Sequence, residues 1–256
     1  MNRFLPAAIV AVLIPCSGSP AEEPQPRVAV PGNAGQPPSD AVVLFNGKDL
    51  SAWVYRDGRP AGWPIVDGAL VCKSGTGNIL SKRKMRSAQI HVEFATPYMP
   101  EAKSQARGNS GVYLQGRYEI QILDSYRNPT YANGSCGALY GQYAPLVNVC
   151  RKPGEWQTYD IVFHAPQCDG SGKLSKPGTV TVLQNGVLVQ DRVTIQGITR
   201  SGNEDNICDE GSLMLQDHFH PDVKETFMQF GTSGIDRWPK RRNKIHEWLA
   251  VGRASP

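Results

Sequence analysis

N-S-G-V-Y-L-Q-G-R-Y-E-I-Q-I-L-D, residues Asn109 to Asp124, contains two short runs of alternating apolar and polar side chains joined at Gly116. Alternation with a period of two is typical of β-strands, and a Gly between two such runs is typical of a turn. One face of the second run is formed by three residues, Tyr118, Ile120 and Ile122. The opposite face carries Glu119 and Gln121, roughly 6.6 Å apart at about 3.3 Å per residue. The stretch therefore predicts paired strands with one buried face and a polar floor for a ligand.

The polar face has a simpler interpretation, in which Glu119 and Gln121 only face water. Antiparallel sheets commonly have one solvated face, and alternating polar residues are the usual sign of it. Glu and Gln are nevertheless poor strand formers, and Thr or Val would suit a merely solvated face better. The composition of this face thus favours a ligand site.

The composition of the whole chain favours an all-β sandwich. Its 256 residues are 40% hydrophobic and 20% charged, which is ordinary for a soluble globular protein. The 26 Gly and 20 Pro predict many turns, and long helical patterns are scarce. The strongest hairpin signal is Asn185-Gly186, between two apolar runs.

The N-terminal part of the chain predicts export. Residues 1–21 combine a basic start, a short apolar stretch and small residues before a cleavage site, as in a secretory signal peptide, and the stretch is too short to span a bilayer. A lipoprotein anchor at Cys16 is the alternative, although Pro15 stands where a small residue is expected. Residues 22–39 are Pro-rich and predict a disordered linker. The folded domain is expected over 40–230, in a secreted or periplasmic protein.

Signal removal leaves five cysteines in an oxidising compartment. We predict the pairs Cys136–Cys150 and Cys168–Cys208, because each pair brackets a loop-like stretch, with Cys72 a buried thiol inside a strand. Metal binding is the alternative, but no Cys-x-x-Cys or Cys/His spacing supports a zinc site.

Two further segments supply polar and aromatic side chains. In Leu213 to His218, Gln216 and His218 share a face, which would converge with Glu119 if the strands lie in one sheet. A His at a strand end is more often solvated, as we also expect for His91 on the outer face of its strand. Residues 125–153 predict a long functional loop, or one that packs on itself. Its tyrosines suit the C–H faces of sugars, and they are Tyr126, Tyr131, Tyr140 and Tyr143.

Six motifs in order resemble the 3-keto-disaccharide hydrolase family, also described as 3-keto-glucoside lyases and 3-keto-glucal hydratases. They are F-N-G-K-D-L-S-A-W (Phe45 to Trp53), N-S-G-V-Y (Asn109 to Tyr113), Y-E-I-Q-I-L-D (Tyr118 to Asp124), G-A-L-Y-G (Gly137 to Gly141), G-E-W-Q-T-Y (Gly154 to Tyr159) and L-Q-D-H (Leu215 to His218). The resemblance implies a concanavalin A-like jelly roll of two antiparallel sheets, with a ligand groove across the concave sheet. It also implies an enzyme acting on 3-keto di- or oligosaccharides or glycosides.

A 3-keto group acidifies the C2 proton, so one base can start elimination of the C1 substituent, after which water adds to the glycal. Glu119 or His218 is the candidate base. The candidate binding residues are Asn109, Tyr113, Arg117, Gln121, Tyr140 and Gln216. The sequence specifies no cofactor, linkage or anomer.

Two other functions fit the same residues. Glucanases of this fold carry E-x-D-x-x-E on one strand, and retaining enzymes need two carboxylates about 5–5.5 Å apart. Here Gln121 holds the middle position, and Asp124 lies on the opposite face roughly 16 Å along the strand from Glu119. A non-catalytic lectin-like domain would keep the aromatic and amide side chains without needing a base.

The last 26 residues depart from the resemblance. Family members end in a core strand of the form F-R-N-I-W-Y-R-P-L, and one codon choice for that strand with a single C deleted translates as Phe230 to Trp238 of this chain. Residues 231–256 are therefore interpreted as an out-of-frame tail. They hold six Lys or Arg and two Asp or Glu, which accounts for the net charge of +4, so the basic balance does not indicate nucleic acid. The alternative is a genuine basic extension for a polyanionic surface.

Overall fold

A computed structural model describes residues 25–26, 28–32, 37–203, 205–218, 227–230 and 248–252. Within these residues two sheets pack face to face, with a small hairpin at one side. The larger sheet contains β1 (Val42–Asn46), β3 (Ile65–Val66), β4 (Ala69–Lys73), β6 (Ala88–Ala95), β9 (Gln157–His164), β12 (Thr179–Gln184), β13 (Val187–Thr194), β15 (Phe227–Phe230) and β16 (Trp248–Gly252). The smaller contains β2 (Trp53–Tyr55), β5 (Ile79–Met85), β7 (Ser110–Leu114), β8 (Tyr118–Ile122) and β14 (Gly211–Leu215). The hairpin is β10 (Gln167–Cys168) with β11 (Leu174–Lys176), and short 3-10 helices cover Ser104–Ala106 and Ala132–Gly134.

The strand order confirms the predicted all-β sandwich. The smaller sheet runs β2-β5-β14-β7-β8, so the strands of the Asn109 to Asp124 stretch lie at one edge of it, beside β14. Gln216 directly follows β14, and its N–H donates to the Gly111 carbonyl of β7 at 3.0 Å. In the larger sheet, β13-β12-β9-β6 run antiparallel in that order.

The hairpin β7–β8 forms as its alternation predicts. A turn with positive φ at Gln115 and Gly116 joins the strands, and Tyr113 lies opposite Glu119. Apolar side chains of the inner face, including Val112 and Ile120, are fully buried between the sheets. Burying apolar surface at about 25 cal/mol per Å² fixes the register, because a one-residue slip would turn these side chains outward.

The polar face of this hairpin is also buried, and this differs from an ordinary solvated face. Every residue of β7 and β8 is buried. Segments from the 125–143 loop and from residues 199–203 close over the face through backbone hydrogen bonds, such as Tyr140 N–H to the Glu119 carbonyl and Thr199 N–H to the Arg117 carbonyl. The loops convert a solvent-facing strand into the floor of an enclosed site.

One of the two predicted disulfides is present. Cys168 is bonded to Cys208, 40 residues further along the chain, and Cys72 is a buried thiol as expected. The predicted Cys136–Cys150 bond was wrong, because both are free thiols. The two thiols are neighbours that hydrogen-bond to each other, and the Cys136 sulfur also lies 3.1 Å from the Tyr159 hydroxyl, while the Cys150 sulfur lies 3.5 Å from the Leu123 carbonyl.

The expectation that His91 is solvated was also wrong. His91 is 5% exposed, and its Nδ1 lies 2.7 Å from Asp160 Oδ1 on the paired strand β9. Its Nε2 is 3.6 Å from Glu93 Oε1. Burial lowers the pKa of His91, but hydrogen bonds to Asp160 and Glu93 outweigh burial and raise the pKa to about 9. Two flanking carboxylates therefore hold a charged imidazole on the outer face of the central strand.

The chain ends fall largely outside the described residues. The predicted signal peptide over 1–21 lies wholly outside them, and eight of the 18 residues of the predicted linker over 22–39 do too. The predicted tail begins after β15, which pairs antiparallel with β6 at Gln229 to Ala95 and Phe230 to Phe94. Continuing that register would place the next residues opposite Glu93 to Gln89. Instead, β16 pairs with Gln89 to Val92 in parallel, and within the described residues parallel pairing occurs only along β16. The out-of-frame origin of 231–256 stays a prediction.

We expect a chain that continues after Phe230 with the family strand R-N-I-W-Y-R-P-L to unfold at a higher temperature than the natural chain. The added strand would extend β15 along β6, and its Ile and Trp would contribute roughly 1.5–3 kcal/mol each where they are buried. Thermal unfolding by circular dichroism measures the difference. A chain truncated after Phe230 is the control for loss of the basic tail alone. The out-of-frame interpretation of residues 231–256 would be wrong if the chain with the family strand is no more stable than the truncated chain and resequencing returns the same reading frame.

Candidate active site

Glu119 lies at the centre of the enclosed face, in the middle of β8. Its backbone is held from both sides, since its N–H donates to Thr199 Oγ1 at 3.0 Å and its carbonyl accepts from Tyr140 N–H at 3.0 Å. The side chain is buried, with the residue 3% exposed. The covering loops therefore fix the position of the carboxyl group and keep bulk water from it.

The Glu119 carboxyl group has two polar neighbours on the floor. Oε2 accepts a hydrogen bond from the Tyr113 hydroxyl at 2.8 Å. With its amide nitrogen turned toward Glu119, Gln121 donates to Oε1 at 3.1 Å and to the Ser110 carbonyl at 2.8 Å. Burial raises the pKa of Glu119 to about 8, and the hydrogen bond from Tyr113 acts in the opposite direction. Such a carboxylate is a stronger base than an exposed one.

Gly111 has no side chain, and this makes room for the Glu119 carboxyl group. It lies on β7 opposite Gln121, and a Cβ built at Gly111 would stand 2.3 Å from Glu119 Oε1. The carboxyl group thus lies across the neighbouring strand, where any side chain would displace it. This explains a Gly in the interior of a strand, a position where Gly usually marks a close approach.

Tyr113 connects Glu119 to β14 and to the loop above. Its hydroxyl accepts from Gln216 Nε2 at 3.0 Å and lies 3.1 Å from the Arg200 carbonyl. Burial and the nearby Glu119 raise the pKa of Tyr113, so it remains a neutral donor. Because a hydroxyl has one proton, Tyr113 donates either to Glu119 or to the Arg200 carbonyl.

Two buried acceptors around this group have no donor among the described residues. They are Gln216 Oε1 and Asn109 Oδ1. Asn109 is oriented by Gln105, whose main-chain carbonyl accepts from Asn109 Nδ2 at 2.9 Å, and the Gln105 side chain lies 3.1 Å from that of Gln121. Leaving buried acceptors unpaired is costly. Hydroxyl groups of a bound sugar are suitable donors for both.

Two tyrosines of the 125–153 loop stand above the floor. The hydroxyls of Tyr131 and Tyr140 are 2.5 Å apart, and the rings meet edge to face. Burial raises the pKa of Tyr131, with smaller contributions from Tyr140 and from the nearby Glu119. Tyr131 is 47% exposed, so this pair borders the opening of the site. Of the four loop tyrosines, Tyr131 and Tyr140 are the two that lie near Glu119 and its partner Tyr113.

Arg117 is brought to a different place from the one the sequence suggested. Its side chain is fully buried, and its guanidinium donates to the carbonyls of Asn206 at 2.7 Å and Asp209 at 3.1 Å. It also pairs with Asp205. These contacts attach the 205–209 segment, which the Cys168–Cys208 disulfide also anchors, to the hairpin turn. We therefore assign the Arg117 side chain a structural role in holding the 205–209 segment against the hairpin.

His218 lies two residues beyond Gln216, after the end of β14. Asp217, directly before it, accepts from Gly77 N–H at 2.7 Å and so turns toward the β4–β5 connection. Adjacent residues of an extended chain point in opposite directions, which favours the side of Gln216 for His218. Its catalytic role stays a prediction. Asp124 pairs with Arg107 at 2.8 Å and is not a partner of Glu119.

Sequence reasoning missed Gln105 and Arg200. Gln105 lies in the single-turn 3-10 helix Ser104–Ala106 and Arg200 lies in a loop, and neither element has a periodicity that assigns a side chain to a face. Only the position of Gln105 four residues before Asn109 could have drawn attention to it. Among the residues that the structure describes, no group of three or more His, Cys, Asp or Glu is placed to hold a metal ion. The described part also contains no helix long and apolar enough to cross a membrane.

Residues 40–227 match the family described as 3-keto-alpha-glucoside-1,2-lyase-like domain. The chain belongs to this family. It is similar to the crystal structure of a candidate glycosyl hydrolase from Parabacteroides distasonis ATCC 8503, with 43% identity and a TM-score of 0.74 over 82% of this chain and 92% of that one. A second such structure from the same organism has 22% identity and a TM-score of 0.51 over 73% of this chain and 88% of that one, and it shows the fold alone. No curated protein matches the chain.

The family and the 43% identical relative confirm the resemblance that the six motifs indicated. They make this chain a carbohydrate-active enzyme of the glycosyl hydrolase or lyase kind. The matched residues include the whole Glu119 group and end at the start of β15. The enclosed floor of β7, β8 and β14 is thus part of the family domain.

Proposed function

We propose that the protein cleaves 3-keto-glycosides by elimination and hydration, with Glu119 as the general base. The observation that carries the proposal is a single buried carboxyl group, surrounded by neutral donors and acceptors and lying below a pair of tyrosines. A second carboxylate, which ordinary retaining hydrolysis needs about 5–5.5 Å away, is not among the described neighbours of Glu119. One base is sufficient when the substrate already carries a ketone.

The first step removes the proton at C2, which the C3 ketone acidifies. Glu119 takes this proton, the electron pair moves toward the C3 oxygen, and the enolate then expels the glycosidic oxygen from C1. Gln216 Nε2 has a second N–H besides the one that it donates to Tyr113, and this N–H is suited to stabilise charge on the C3 oxygen. The leaving oxygen needs one proton, and protonated Glu119 supplies it, so the proton taken from C2 leaves with the released alcohol.

The second step adds water across the C1–C2 double bond of the glycal. Glu119, ionised again, takes a proton from the water whose oxygen adds at C1, and it delivers this proton to C2, so the net reaction is hydrolysis of the glycosidic bond. The raised pKa of Glu119 suits both steps, because a group with a pKa near the working pH can take and return a proton. We place the reaction in a secreted or periplasmic compartment, as the N-terminal sequence predicts.

We expect Glu119→Gln to reduce turnover of a 3-keto-glucoside by about 10²–10⁴-fold, the usual contribution of a general base. Gln has nearly the same volume and can still accept from Tyr113, so the variant should remain folded. Steady-state kinetics with a far-UV spectrum measures both properties. His218→Gln is the comparison, and it tests the second candidate base. If Glu119→Gln keeps a near-normal rate while His218→Gln loses it, Glu119 is not the base. If Glu119→Gln still binds the substrate and the wild type shows no turnover, the lectin-like alternative holds.

The wild-type enzyme should become more active as the pH rises through about 8. Burial raises the pKa of Glu119 to about 8, and only the ionised form accepts the C2 proton. The same shift makes the folded protein less stable as pH rises between the ordinary carboxyl pKa and about 8, because the folded state binds the proton more tightly. Chemical denaturation at pH 4 and pH 9 should therefore show Glu119→Gln gaining stability over wild type at pH 9 only. Equal differences at the two pH values would contradict a buried, proton-retaining Glu119.

A further inference from the structure

A second cleft of about 380 Å³ opens at one end of the sandwich, apart from the Glu119 group. It lies between the segments that follow β6 and β8 and the segment that precedes β9, so both sheets contribute to it. Its volume falls within the roughly 300–1,000 Å³ typical of small-molecule sites. The residues around Glu119 do not line it. The 3-10 helix Ser104–Ala106 lies beside both places, since Gln105 contacts Gln121 while Arg107 lines the cleft.

The charges lining the cleft are unbalanced. Arg107, Arg127 and Lys152 face one carboxylate, Asp124, which Arg107 already pairs at 2.8 Å. Arg127 and Lys152 are exposed, and neither forms an ion pair with a described residue. The lining thus carries a net charge of +2 from these four groups. Two positive side chains that have no ionic partner among the described residues attract an anion to this partly apolar cleft. The attraction weakens as the salt concentration increases.

The remaining lining is aromatic and apolar. Tyr98 is 76% exposed, Tyr126 is partly exposed, and a Met and two prolines complete the surface. The Arg127 guanidinium lies 5.4 Å from the centre of the Tyr126 ring, which holds the charge beside an aromatic face. Exposed tyrosine rings suit the C–H face of a pyranose. The ligand that matches both features has a sugar ring and a carboxylate.

We propose that this cleft is a binding site for a hexuronic acid residue. The pyranose ring stacks against Tyr98 or Tyr126, and its carboxylate pairs with Lys152 and Arg127. The Arg107–Asp124 pair is the fixed base of the cleft, because Arg107 also donates to the Tyr126 carbonyl and orders the segment that carries the ring. The site does not depend on the chemistry at Glu119. It would hold an acidic saccharide on the same protein that cleaves a glycoside.

Binding of methyl β-D-glucuronide to the full chain tests this assignment. Calorimetric titration at low ionic strength should show binding at least tenfold tighter than that of neutral methyl β-D-glucoside. Sodium acetate supplies the anion without the ring and should also bind at least tenfold more weakly. Glu119→Gln should bind the glucuronide as the wild type does, which separates this site from the proposed catalytic function.

Variants then locate the site. Lys152→Glu and Tyr98→Ala should each weaken glucuronide binding at least tenfold, while Lys84→Glu, an exposed charge reversal on β5, should leave it unchanged. Thermal unfolding of all three checks that they fold. The proposal is overturned if glucoside or acetate binds as tightly as glucuronide, or if Lys84→Glu loses as much affinity as Lys152→Glu. The first result would show that charge and ring are not recognised together, and the second that only the overall charge matters.

Discussion

Burial of the Glu119 carboxyl group is the constraint on which the rest of the site depends. Removing a carboxylate from water is unfavourable unless hydrogen bonds replace the lost hydration. Here Tyr113 and Gln121 provide replacements on the floor, and Thr199 and Tyr140 hold the backbone. They do not fully compensate, and the pKa of Glu119 rises to about 8. The part of the desolvation cost that the hydrogen bonds do not offset makes the Glu119 carboxylate a stronger base.

Much of the fold serves to maintain that burial. The two sheets supply a rigid floor, Gly111 gives the carboxyl group room, and loops from both sides cover it. Arg117 and the Cys168–Cys208 disulfide attach the 205–209 segment, and a disulfide closing a loop of this length stabilises a fold by about 4 kcal/mol. The sheets, Gly111 and the covering loops together leave Glu119 only 3% exposed.

The sequence predicted the floor of the site better than its cover. Period-two alternation was enough to place Glu119, Gln121 and Gln216 on one face, because a strand fixes side-chain direction. Arg117 lies two residues before Glu119, so the alternation predicts it on the same face. Its long side chain instead turns to the carbonyls of a loop. Gln105, in a single-turn 3-10 helix, and Arg200, in a loop, have no periodicity to place them. Cysteine spacing likewise could not distinguish the bonded pair at Cys168 from the unbonded one at Cys136.

The central claim is that the glycosidic bond breaks after removal of the C2 proton, and exchange with heavy water tests it most directly. When a 3-keto-glucoside turns over in D₂O, elimination and hydration must place solvent deuterium at C2 of the released sugar. Direct displacement at C1 leaves the original hydrogen there. NMR of the product at early conversion, corrected for exchange of the free 3-keto sugar without enzyme, separates the two. We predict deuterium at C2 in each released molecule, and retention of the C2 hydrogen would contradict the account.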